Sequence, residues 1–179
     1  MVVGGRTTHP PRSEKKIRKE VNRKERRLAL ASAIAATTEK QIVSLRGHKI
    51  PEERNLPIIV NDDVQKINKT SDLLDFFLSI NLGDDIERVN HSRKTRSGVS
   101  RRRGRTIKTG KGPLIVVSED KGIGKAANNI PGIDCVLAKN LTVTDLAPGS
   151  QAGRLVVWSK SSINNLPKPL LEVGNLIAT

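Results

Sequence analysis

Aromatic side chains are nearly missing from this 179-residue sequence: tyrosine is absent, and Phe76, Phe77 and Trp158 are the only rings of that kind. None of them stands in a basic stretch, so a platform that stacks single-stranded bases, of the RRM or OB type, is not expected. Cysteine occurs once, at Cys135 inside an apolar run. A single thiol closes no internal disulfide and finds no cysteine partner for a metal, so it reads as core. His9, His48 and His91 are scattered, without HxxxH spacing or cysteine neighbours, which sets aside the usual metal-ligand patterns. No apolar run reaches the ~18 residues of a membrane span, and no charged-then-apolar leader with a small-residue cleavage pattern opens the chain. A soluble, intracellular chain is expected.

Acidic residues are also unevenly missing, and that absence is informative. Residues 93–111 hold nine Lys and Arg and no Asp or Glu, while residues 1–27 hold ten basic and three acidic side chains. The remaining 133 residues carry thirteen basic and fifteen acidic groups, so the net charge of +14 is local to two segments flanking a near-neutral body. Such segments attract polyanions, because neutralising phosphates releases condensed counterions. A membrane surface would want interleaved apolar residues, and segment 93–111 offers only Val99 and Ile107. Nucleic acid is the expected partner, read by phosphate contact and shape.

The length fits one domain with peripheral segments. Residues 1–21 contain Gly4-Gly5, Pro10-Pro11 and many charges, a composition that buries too little apolar area to order itself. An extended basic arm is expected there. Asn22 with Glu25 three residues on resembles a capping box, and the Ala-rich run from Leu28 to Ala36 predicts a helix over about 22–37. Arg23, Lys24, Arg26 and Arg27 crowd its first turns, where the macrodipole disfavours cations. An anion docked there would offset both the dipole and the mutual repulsion.

Leu56–Val60 reads as a buried strand, and Ser71 as the cap of a helix over 72–82 that Gly83 closes, with a further short helix over 84–90. After the second basic segment, strands at 113–118, 133–138 and 154–159 alternate with helices at 124–129 and 161–166. This pattern predicts an α/β fold, three layers α/β/α around a mainly parallel central sheet, with extended basic loop segments. The domain is expected over 22–166 with its basic loop at 93–111, and residues 167–179 as a C-terminal tail.

Candidate chemistry is sparse. The stretch Val117-Ser118-Glu119-Asp120-Lys121-Gly122-Ile123-Gly124-Lys125 follows a strand as a nucleotide-binding loop would. A P-loop requires glycine where Glu119 stands and Ser or Thr where Ala126 stands, and the third glycine of a dinucleotide fingerprint falls among non-glycines near Asn128. Glu119 and Asp120 are adjacent at a strand end and point apart, so they read as a turn rather than a carboxylate pair. No catalytic residues, cofactor, metal or small-molecule substrate are expected. The strongest signal is Ser92 to Arg105, where six arginines accompany one lysine. Guanidinium forks bind phosphate bidentately, and Gly98 and Gly104 let the backbone bend close to a surface.

The stretches Gly4-Gly5-Arg6 with His9-Pro10-Pro11, Val21 to Leu30, Arg46-Gly47-His48, Arg96 to Arg105, Gly112 to Gly122, Asn129-Ile130-Pro131-Gly132, and Leu146 to Gly149 with Gly153-Arg154-Leu155 and Trp158 resemble the universal large-subunit ribosomal protein L-four family, in its archaeal and eukaryotic form. The resemblance implies a cytoplasmic, ribosome-bound structural protein. Its partners would be large-subunit ribosomal RNA and neighbouring ribosomal proteins, and a long loop would reach toward the peptide exit tunnel. Residues 1–12 resemble the returning arm of that loop; the family's strand, helix and outgoing arm have no match ahead of Met1. The expected RNA contacts are Arg6, His9, Arg12, Lys15, Lys16, Arg23, Lys24, Arg26 and Arg27 in one set. Arg93, Lys94, Arg96, Ser97, Gly98, Arg101, Arg102, Arg103, Gly104, Arg105, Lys108 and Lys111 form the other. A free-standing RNA-binding regulator of transcription or translation is the alternative.

Overall fold

The computed structural model describes residues 3–51 and 53–167. Residues 3–22 hold no helix or strand and lie almost wholly exposed, as their composition predicts. Helix α1 (Arg23–Thr38) follows, then α2 (Lys40–Leu45), strand β1 (Ile58–Val60), α3 (Thr70–Ser79) and α4 (Gly83–Ser92). The basic segment forms β2 (Lys94–Thr95), α5 (Gly98–Arg102) and β3 (Ile107–Lys108). The chain then alternates β4 (Leu114–Val117), α6 (Ile123–Asn128), β5 (Asp134–Leu137), α7 (Val143–Leu146), β6 (Val156–Ser159) and α8 (Lys160–Asn164).

The main sheet runs β1-β6-β4-β5 with every pairing parallel, and Ile115 stands opposite both Cys135 and Val157. Continuous apolar strands follow from burial on both faces: all four residues of β4 are buried. Alternate residues feed separate cores. Ile115, Val117 and Val157 join Leu73 and Phe77 of α3, Ile86 of α4 and Ala126 of α6. Leu114, Val116, Val156 and Trp158 join Ala33 of α1 and Leu146 of α7. Helices therefore cover both faces, and the α/β expectation holds. Cys135 packs beside the first core, where burial pushes its thiol up to about 12.

Helix ends differ from the sequence reading in instructive ways. Asn22 occupies the N-cap position of α1 but its side chain makes no capping bond, so the expected box with Glu25 does not form. Ser71 does not cap α3 either: Lys69 is the capping residue, and the Ser71 hydroxyl donates to the Asp72 carboxylate at 3.0 Å. Gly83 opens α4 instead of closing α3. The closing residue is Asn81, left-handed at φ 57°. The Leu82 N–H returns to the Phe77 carbonyl at 2.9 Å and the Asn81 N–H to that of Leu78 at 3.0 Å, a Schellman ending. Asparagine tolerates this conformation, and Leu82, fully buried, supplies the accompanying apolar contact. The helices α2 and α7 lie in stretches too short and polar for periodicity to announce them. Of the expected C-terminal tail, residues 168–179 lie outside the described residues.

The N-terminal ends of β4, β5 and β6 converge on Arg154, only 1% exposed. Its Nε donates to the Gly112 carbonyl at 2.9 Å, Nη1 to that of Asp145 at 2.9 Å, and Nη2 to the Asp134 carboxylate at 2.6 Å. Gly132 lies against the same point at φ 76°; a Cβ there would meet the Gly110 carbonyl oxygen and come within 2.6 Å of Val89. Arg154→Ala leaves the Gly112 and Asp145 carbonyls without this donor and Asp134 with Lys111 in its place, and is expected to lower unfolding free energy by about 3–5 kcal/mol. Gly132→Ala, strained in backbone and in space, is expected to cost about 1–3 kcal/mol. Urea unfolding of the two variants against the parent checks both.

Candidate nucleic-acid interface

The segment 93–111 is a hairpin, not the open loop its composition indicates. Lys94 pairs with Lys108 and Thr95 with Ile107 in an antiparallel ladder. The Arg96 N–H extends it to the Thr106 carbonyl at 2.8 Å. At the tip, α5 ends in a second Schellman motif: Arg105 N–H returns to the Ser100 carbonyl at 3.1 Å and Gly104 N–H to that of Arg101 at 3.2 Å. Gly104 takes the left-handed position at φ 78°. Glycine's freedom is thus used to reverse the chain directly after Arg101, Arg102 and Arg103.

Those three arginines are exposed, as are Arg93, Lys94, Ser97, Gly98, Arg105, Lys108 and Lys111. Arg96 is half-buried, and its Nε is buried with no hydrogen-bond partner. Basic groups bracket the ladder from both strands, so like charges face each other at the Lys94–Lys108 pair. Cross-strand like charges oppose folding. The compensation is at the root. The Gly110 N–H donates to the Ser92 hydroxyl at 2.9 Å, which donates to the Val89 carbonyl at 2.6 Å. Lys111 pairs with Asp134 at 2.8 Å, so it ties the hairpin root to β5 as well as carrying charge.

A buried polar group stiffens the same root. Asp85, fully buried, lies 3.0 Å from His48 Nδ1 and accepts from Arg88 Nε and from the Lys49 N–H, each at 2.9 Å. The Arg88 guanidinium also donates to the Lys111 carbonyl at 3.0 Å. Arg46 and His48, which carry part of the family resemblance, both have structural partners. In the structure Arg46 donates to the Pro148 carbonyl at 2.8 Å and to that of Gln151, and its pKa is lowered by burial and by the charge of Arg154.

The other expected contacts, Arg6, His9, Arg12, Lys15, Lys16, Arg23, Lys24, Arg26 and Arg27, are all exposed along residues 3–22 and the first turns of α1. The two sets do not grow from one surface. The arm enters α1, whose Ala33 joins the core on one face of the sheet; the hairpin leaves α4, whose Ile86 joins the core on the other. The stretch after β4 forms a turn: Asp120 Oδ1 accepts the N–H groups of Gly122 at 2.9 Å and Gly124 at 3.1 Å, and Glu119 pairs with Lys121. Among the described residues, no three His, Cys, Asp or Glu side chains gather as a metal site would require, and no helix is long and apolar enough to cross a membrane.

Fold and interface together describe a small parallel α/β domain carrying cationic appendages on two faces. The chain belongs to the Ribosomal protein L4/L1 family, whose model matches residues 1–168. It is similar to proteins named "Large ribosomal subunit protein uL4". That of Methanosphaera stadtmanae is 42% identical over 164 residues, covering 92% of this chain and 63% of the relative. That of Sulfurisphaera tokodaii is 46% identical over 167 residues, covering 93% of this chain and 62% of the relative. That of Methanothrix thermoacetophila is 44% identical over 170 residues, covering 95% and 67%. The chain thus spans 62–67% of the length of these curated relatives.

Burial raises the Asp85 carboxyl, but the hydrogen bonds from His48, Arg88 and Lys49 outweigh it and hold its pKa below the ordinary 3.8. The stability this contributes is present in full above the ordinary value and is lost as pH falls through the depressed one. Asp85→Asn is expected to be less stable at neutral pH and to lose less on acidification below about pH 4. Thermal unfolding of parent and variant across that range checks it.

Proposed function

We propose that the chain is a structural, non-catalytic constituent of the large ribosomal subunit that binds ribosomal RNA through the 93–111 hairpin and the N-terminal arm. On this reading it supports subunit assembly, neighbours other ribosomal proteins and contributes to the region of the peptide exit tunnel. The observation that carries it is the hairpin tip: Arg101, Arg102 and Arg103 held outward by a Gly104 chain reversal, with no acidic residue in the segment. A loop that only needed solubility would mix signs; one that grips phosphate gains from unneutralised guanidinium forks.

The names of the relatives support the subunit assignment, and the scarcity of rings supports shape and phosphate recognition over base stacking. The cations at the start of α1 fit the same account, since a docked phosphate would offset the dipole penalty they incur.

The logarithm of RNA affinity is expected to fall steeply with the logarithm of salt concentration. Replacing Arg101, Arg102 and Arg103 together by Ala is expected to reduce that slope by about 2–3, one near-unit step per lost phosphate contact. Titrations against large-subunit RNA at several salt concentrations measure it, and affinity that stays flat from low to moderate salt overturns the reading. Sedimentation with large subunits through high salt separates a permanent constituent from a free-standing RNA regulator.

A further inference from the structure

Next to the cationic hairpin, the fold presents a surface of opposite character. Residues 70–87, spanning α3 and most of α4, hold five carboxylates and no Lys or Arg. Asp85 is buried in its pairing with His48 and Arg88, whereas Asp72, Asp75, Asp84 and Glu87 are exposed. On the same stretch Leu74 and Leu78, one helical turn apart, are 37% and 60% exposed. Leu78 lies directly against the start of α4, because a Cβ on Gly83 would come within 2.8 Å of its Cδ2. Leu78 therefore lies where α3 meets α4, with Leu74 one turn back along α3.

We propose that this outer face of α3 and α4 docks a cationic, leucine-bearing segment of a neighbouring protein. Charge decides the class of partner. Four exposed carboxylates with no intervening cation repel a phosphate backbone, so RNA gripped by the adjacent hairpin ends where this face begins. A segment with Lys or Arg at its rim and apolar side chains at its centre satisfies both features, with Leu74 and Leu78 as the apolar centre and the acids as the polar rim. The inference rests on the subunit reading for the partner's setting, but the surface chemistry stands without it.

The test is a titration of the complete chain, labelled with nitrogen-15, with three probes: an amphipathic Lys/Leu peptide, a Glu/Leu peptide of the same pattern, and a short RNA duplex. The Lys/Leu peptide is expected to shift the amides of residues 71–91, the Glu/Leu peptide to leave them still, and the duplex to shift those of 93–111 instead. Leu78→Ser, at an exposed position, and Asp75→Lys are each expected to weaken the Lys/Leu peptide several-fold; Leu78→Ser leaves duplex affinity unchanged, and Asp75→Lys, which removes a repelling carboxylate, does not lower it. The proposal is overturned if the Lys/Leu peptide moves none of these amides, if the duplex moves them equally, or if concentrating the chain alone moves them, which would make the occupant a second copy. Duplex binding nowhere, with peptide binding intact, overturns the RNA reading and leaves the docking face standing.

Discussion

Nine like charges on nineteen consecutive residues repel one another, and the protein must hold them in one shape without cancelling them. Acidic partners inside the segment would remove the repulsion and the positive field together. The hairpin is instead built from interactions that leave its charges alone: a short backbone ladder, a Schellman ending at Gly104, and a root fastened by the Ser92 hydroxyl. An ionic partner stands off the segment, where Asp134 takes Lys111, and Asp85 holds Arg88 of α4, whose guanidinium donates to the Lys111 carbonyl.

Arginine serves two purposes in this chain, and burial separates them. Arg154 donates to the carbonyls of Gly112, just before β4, and Asp145, in α7, and to the carboxylate of Asp134 in β5, a use that exploits the planar fork as a rigid connector. Arg46 fastens the loop before β6 in the same manner. Arg101, Arg102 and Arg103 spread the same group into solvent. Composition counts all of them toward one positive charge, yet only the outward ones are free to meet a polyanion.

The four strands of the main sheet were legible because each is a short continuous apolar run, and a sheet covered on both faces demands such runs. The helix ends were less so. Ser71 and Gly83 carry the residue types that usually cap and close, but Lys69 and Asn81 hold those positions, because buried Leu82 and Phe77 decide where α3 stops. The exposed cations were visible as charge, whereas their support was not: His48 meets Asp85 and Arg88 from thirty-seven and forty residues away, and nothing local marks the pairing. The hairpin was hidden because its two-residue strands are too short for alternation to register, although Thr95 and Ile107 are the β-branched pair that the ladder brings opposite.

The arm and the hairpin leave the domain from opposite helix layers. On the proposed reading, in which both appendages grip phosphate, the chain would act as a rivet whose sheet is the shaft: parting the RNA gripped by one appendage from that gripped by the other would first pull one of them off its phosphates.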